Sequence, residues 1–164
     1  MLKQFQVTLI SFITLALLIL FLMPAIANAR IIYVDANKNG DGSNWENAYK
    51  YLQDALSQAQ NGDELCVAQG TYYPDEGAGK INNDRNSTFQ LKAGVSLYGG
   101  FVGGETSRDQ RNWANNPTIL SGDLDQSGGK NDNDAYHVVK GANNATIDGF
   151  TIAGGNATNS SGGG

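Results

Sequence analysis

The amino-acid sequence predicts an all-β solenoid, a stack of short coils closed at its front by an amphipathic capping helix. Three observations predict it. First, Val95–Phe101, Thr118–Leu124 and Ala145–Gly155 share one skeleton: a β-prone run, a glycine at Gly99, Gly122 or Gly149, and a large apolar residue two positions earlier, Leu97, Leu120 or Ile147. The glycines stand 23 and 27 residues apart (122 − 99 and 149 − 122), a period of stacked repeats rather than of one closed sheet. Second, 21 of 164 residues are glycine and only 16% are charged, against the usual ~7% and ~25%. Polarity carried by Asn, Ser, Thr and Gly suits an exported β-rich chain. Third, one helical period stands between the first strand-like run and the first coil.

In order, residues 1–29 read as a signal peptide. Lys3 precedes an apolar run from Val7 to Met23, Pro24 breaks it, and Ala27-Asn28-Ala29 is a small-x-small cleavage triplet, so the mature chain begins at Arg30. An uncleaved anchor is the alternative, since the run approaches spanning length. Residues 30–62 hold a strand, Ile31–Val34, and the capping helix. Ser43 and Glu46 have capping-box spacing, and Trp45, Ala48, Leu52, Ala55, Leu56 and Ala59 recur on one face, with Lys50, Gln53, Asp54 and Gln58 off it and Asn61-Gly62 as the stop. A stacked coil leaves an open apolar end, and this helix would cover it. Residues 63–164 are the first coils. They begin with Glu64–Ala68 and are interrupted by polar loops at 75–86, 102–116 and 125–134. The array dissolves after Gly155 into a Ser- and Gly-rich tail, and the expectation is that it continues in a longer protein.

Composition also bounds the partners. Without Lys3 the mature chain carries ten basic and sixteen acidic residues, and phosphate binding needs clustered Lys and Arg, so nucleic acid is set aside. The mature domain is not expected to insert in a membrane. The single Cys66 cannot form an internal disulfide, so stability must come from stacking.

Two stretches have the oxygen-rich spacing of calcium loops. Asp35, Asn37 and Asn39, followed by Gly40 and Glu46, fit D-x-[DN]-x-[DN]-G-x5-E letter for letter. The alternative is a plain turn feeding a capped helix, because a strand rather than a helix precedes the loop and the capping box claims Glu46. Asp123, Asp125 and Ser127, with Gly128 and with Asp134 at the twelfth place, form the second stretch; there Lys130 would be repelled by the ion and a solvated loop is the alternative. Either calcium would stiffen a loop rather than catalyse.

Raw material for polysaccharide cleavage is limited to Asp123, Asp125, Asp148, Arg108 and Arg111, and no spacing sets an arginine opposite these acids. Asp148 reads equally well as a turn residue before Gly149. His137 and Cys66 lie in β-like runs and read as structural. Tyr33, Trp45, Tyr72, Tyr73, Tyr98 and Trp113 could stack on sugars or fill the core.

Several short motifs follow one another along most of the mature chain: Tyr33-Val-Asp35, Ser43-x-Trp45, Leu52-Gln-x-Ala55, Gly62-Asp-Glu64, Val67-Ala-x-Gly-Thr-Tyr72, Leu97-Tyr-Gly-Gly-Phe101, Asn116-Pro-Thr-Ile-Leu-Ser-Gly-Asp123 and Asp148-Gly-Phe-Thr-Ile-x-Gly-Gly155. Their succession resembles the N-terminal region of secreted bacterial right-handed parallel β-helix proteins of the pectin-lyase-like superfamily. Gly154-Gly-Asn-Ala157 is similar, less specifically, to the Gly-Gly-x-x motifs of polymorphic outer-membrane proteins. The resemblance implies a right-handed parallel β-helix and an extracellular or cell-surface location, at the outer membrane if the source is Gram-negative. It carries over no active site. The function expected is an adhesin-like scaffold that binds a polysaccharide or a surface protein. The alternative is the front of a polysaccharide lyase or glycoside hydrolase whose active site lies downstream.

Overall fold

The computed structural model describes residues 29–157. The signal-peptide run and the Ser- and Gly-rich tail lie outside the described residues, apart from Ala29. Among the described residues the chain is mostly short parallel strands with one α-helix, and no helix is long and apolar enough to cross a membrane. The strands are β1 (Ile31–Val34), β2 (Glu64–Ala68), β3 (Gly70–Tyr72), β4 (Phe89–Gln90), β5 (Ser96–Phe101), β6 (Thr118–Ser121), β7 (Val139–Lys140), β8 (Thr146–Asp148) and β9 (Phe150–Ala153); the helix is α1 (Leu52–Gln58). They form three parallel sheets, ordered β1-β2-β5-β8, β3-β6-β9 and β4-β7. Thus β2, β3 and β4 pair in turn with β5, β6 and β7, and β8 and β9 take up the first two sheets again.

Register places like residues on like. Ile32, Leu65, Leu97 and Ile147 form one column of the first sheet, and Tyr72, Leu120 and Ile152 one column of the second. Leu65, Leu97 and Leu120 are fully buried, each contributing about 1.5–3 kcal/mol relative to exposure. The turns stack as well as the strands. Gly62 N donates to Gly94 O at 2.9 Å and Gly94 N to Asn143 O at 3.0 Å. Beside the latter, Asn144 takes the left-handed backbone (φ 56) that Gly62 and Gly94 also adopt, a conformation asparagine tolerates better than most residues.

The 23- and 27-residue period expected from the three glycines is not the repeat of the structure. Leu97 pairs with Ile147, whereas Leu120 belongs to the second sheet and pairs with Tyr72 and Ile152. Along the first column the steps are 33, 32 and 50 residues (65 − 32, 97 − 65 and 147 − 97). The Thr118–Leu124 segment imitates the others because each sheet has a glycine, Gly99 within β5 and Gly122 just after β6, that lets backbones approach. A Cβ on Gly99 would lie 2.5 Å from Gly149 O, and one on Gly122 would lie 2.7 Å from Gly154 O.

The helix is shorter than its apolar spacing predicts. It begins at Leu52 after Tyr51, which makes no side-chain cap, and Ser43 and Glu46 form no capping box. Residues 48–49 are instead spent on β1 and the turn after it: Tyr49 N donates to Tyr33 O, Asp35 N to Tyr49 O, and Gly40 N to Ala48 O, each at 2.9 Å. Obligatory pairing of the exposed edge of β1 overrides the helical pattern. Trp45 consequently lies not on the helix face but on the opposite face of the first sheet. It packs on Tyr33 (centroids 4.7 Å apart) and Phe101 (5.4 Å), and its Nε1 donates to Glu105 O at 2.9 Å. Gln53, expected off the apolar face, is buried, and its Nε2 donates to Pro74 O and Thr88 O. Leu52, Ala55 and Leu56 join the main core with Ile32, Phe89 and Leu91.

Candidate functional site

Two places gather chemistry, one on the excursion between β5 and β6 and one on the loop between β6 and β7. The excursion is folded by its own polar groups. Glu105 accepts the amides of Val102, Gly103 and Gly104 at 2.7–3.1 Å, and Gln110 Oε1 accepts those of Thr106 and Ser107. At its foot β5 carries one extra residue relative to β2, so that Cys66 pairs with Tyr98 but Ala68 with Phe101. Such a bulge re-aims the chain. Gly100 stands there at φ 95, and a Cβ on it would meet the backbone of Trp113 at 2.6 Å. Close approach at Gly100 fixes the Trp113 backbone while the residue stays 62% exposed.

Beside Trp113 lies a shallow cleft of about 270 Å³, lined also by Pro117, Thr118, Asp148, Gly149, Phe150 and Thr151. Arg111 holds one of the lining residues, Asp148. Its Nη2 lies 2.7 Å from Asp148 Oδ2, its Nη1 donates to Gly99 O and Asp148 O, and its guanidinium stands 5.1 Å from the centre of the Tyr98 ring. Arg108 covers the same ring at 4.5 Å and pairs with Glu64 at 3.2 Å. Spacing alone set no arginine opposite the acids; the excursion folds back and brings Arg111 onto Asp148 across 37 residues. Asp148 is therefore ion-paired, as well as preceding a left-handed glycine, Gly149 at φ 79.

The second place is the Asp123–Asp134 loop. Single carboxylate oxygens of Asp123, Asp125 and Asp134 all lie within 4.8 Å of one another. Asp123 accepts the amides of Ser127 (3.0 Å) and Gly128 (2.8 Å). Asp125 accepts from the side-chain amides of Asn133 and Asn131, which hold its carboxyl down at about 2. Ser127 Oγ accepts from Asn131 Nδ2 at 2.8 Å and donates toward Asp123, so it braces the loop. Asp134 is fully buried; its Oδ2 accepts the Asn131 amide at 3.0 Å, and its Oδ1 has no hydrogen-bond partner among the described residues. None of these three acids is among the ion pairs of the described residues. Lys130 lines the same cavity as Asp123 and Asp134.

The other acidic stretch is arranged differently. Asp35 Oδ1 accepts the backbone and side-chain amides of Asn37, Asn39 is exposed, and Glu46, 86% exposed, pairs with Lys38 at 3.2 Å. These groups close a turn and a surface pair, and no bond joins Asp35 to Glu46.

Cys66 is buried, and desolvation pushes its thiol up to about 12, which suppresses thiolate chemistry. His137 is exposed on irregular chain before β7, not within a strand. Sequence reasoning did not single out Asn131, Asn133 or Arg85, and gave Asn156 no part in this loop. The first two alternate with Asp132 and Asp134 and brace Asp125, a signal within the loop itself; the last two come from distant passes of the chain. In comparisons with known proteins, the chain matches no family model, no curated protein and no solved structure.

Proposed function

We propose that this chain is an exported right-handed parallel β-helix that acts as an adhesin-like surface scaffold and binds polysaccharide at the Trp113 cleft. The ordered pairing of β2, β3 and β4 with β5, β6 and β7 supports successive coils with three faces, with α1 as the lid over the first, in keeping with the resemblance to pectin-lyase-like proteins. Export rests on the charged, apolar and small-residue succession of residues 1–29.

The observation that carries the binding reading is the exposed Trp113 beside Asp148 and Thr151. An indole face takes the apolar C–H face of a pyranose, while hydroxyl and carboxylate groups at the rim accept and donate to its hydroxyls. A shallow cleft suits one sugar of a long polymer, with avidity supplied by repeated contacts. The test is a glycan array followed by titration of the best ligand with wild type and Trp113→Ala. The expected result is polysaccharide binding that weakens about tenfold or more in the variant with circular dichroism unchanged. Equal binding by the variant, or capture of a surface protein with no glycan bound, would reject the cleft as a sugar site.

A further inference from the structure

The geometry points to a calcium site formed by the carboxylates of Asp123, Asp125 and Asp134, which fastens the loop between β6 and β7 to the segment that follows β9. It does not depend on the glycan reading, because it uses a different loop and different residues.

Three acids on an exposed loop would be unremarkable on their own. The deciding observation is Asp134, which has 0% exposure, a carboxylate oxygen within 4.8 Å of those of Asp123 and Asp125, and an Oδ1 with no donor among the described residues. A buried carboxylate is ordinarily paired or fully hydrogen-bonded, since an uncompensated buried charge is costly. Here Asp134 lines a cavity shared with Asp123, and a hard cation among the three carboxylates would supply the missing partner. All three candidate ligands are oxygens on a glycine-containing loop, and water can complete the six to eight oxygens that calcium accepts; magnesium, which demands near-ideal octahedral geometry, suits such a loop less well.

Competing cations are accounted for. Arg85 directs its Nε to the main-chain O of Asp134 (2.7 Å) and its Nη2 to that of Asn156 (3.0 Å), leaving the Asp134 carboxylate untouched. Lys130 is exposed at the cavity rim and makes no ion pair among the described residues. The consequence of binding follows from the network around Asp134. Asn131, whose amide donates to Asp134, accepts from Asn156 Nδ2 at 2.7 Å, and Asn156 N donates to Ala135 O at 2.8 Å. Asn156 Oδ1 is a second buried oxygen without a donor in this network. An ion on Asp134 therefore stiffens three passes of the chain together: the loop before β4 through Arg85, the Asp123–Asp134 loop, and the end of β9.

The experiment is calorimetric titration of EDTA-stripped protein with CaCl2 and, separately, MgCl2, with thermal melts in EDTA and in calcium. Wild type should bind one Ca²⁺ per chain in the range of extracellular modules, about 10⁻⁴–10⁻³ M, should bind Mg²⁺ at least about tenfold more weakly, and should melt higher in calcium. Asp134→Asn should lose the calcium response yet melt no lower than wild type in EDTA, because it removes a buried charge lacking a partner; a purely structural Asp134 would lower both melts equally. Asp125→Asn, at an exposed position that leaves the core intact, should weaken Ca²⁺ binding by about tenfold or more and decides the matter if the first variant does not fold. No saturable Ca²⁺ binding by wild type, equal affinity for Mg²⁺, or unchanged affinity in Asp125→Asn would overturn the site.

Discussion

The loop that follows β1 and the loop that follows β6 are both acidic and rich in Asn and Gly, and they are held by opposite means. The first is supported from behind. Trp45 anchors it to Tyr33 and Phe101, its backbone pairs with residues 47–49, and Asp35 is turned onto the amides of Asn37. Its charges are compensated or solvated. The second has a polar interior, in which three carboxylates converge and one of them, Asp134, is buried with an oxygen lacking a partner. The difference is that between a loop whose order comes from apolar burial and one whose order depends on what sits among its acids. Only the second has a reason to respond to a cation.

The largest expected effect tests the first half of that contrast. Trp45→Ala removes a nine-tenths-buried indole and its bond to Glu105 O, and should cost about 3–5 kcal/mol. Urea denaturation measures it, and the loss should be equal in EDTA and in calcium. A loss confined to one condition would mean that the two loops are not independent. The next effect is smaller. Asp35→Ala leaves the backbone amide of Asn37 without its acceptor in a partly buried turn, costing about 1–2 kcal/mol, again with no change in calcium affinity. If calcium binding fell with Asp35 and persisted without Asp125, the contrast between the loops would be inverted.

Part of the parallel strand pairing was legible because strands paired in register repeat their chemistry. The Leu97–Ile147 pairing and the Gly99–Gly149 approach both appear as a repeated skeleton in the sequence. The period was misread because Leu120, with the same apolar-x-Gly spelling, serves a different sheet; bends of either sheet call for the same small residue. Trp45 misled for a related reason. Its spacing from Ala48 and Leu52 fits a helix, but periodicity does not register that β1 lacks a partner on one edge, and backbone pairing there outweighed helix propensity. The Asp123–Asp134 loop was legible as a set of oxygen ligands within twelve residues. The burial of Asp134 was not, since distant passes of the chain gather at it: Arg85, 49 residues away, donates to its main-chain O, and Asn156 donates to Asn131 O from 25 residues away. The Trp113 cleft was hidden in the same way: Arg111 meets Asp148 only because the excursion folds back over Gly100.

The smallest effect separates spelling from geometry most directly. Glu46 occupies the twelfth place of the better-spelled calcium pattern, the position that in a true loop supplies a bidentate carboxylate, and without it such a site would lose most of its affinity. In this fold Glu46 is 86% exposed and paired only with Lys38. An exposed pair of this kind contributes about 0.5 kcal/mol or less. Glu46→Gln should therefore shift the denaturation midpoint barely at all and leave the calcium titration superimposable on wild type. A large loss of calcium binding would show that ions are held after β1 and that convergence of Asp123, Asp125 and Asp134 is incidental. An unchanged titration, set beside a weakened one for Asp125→Asn, would place the ion where a buried carboxylate oxygen lacks a partner rather than where the letters match.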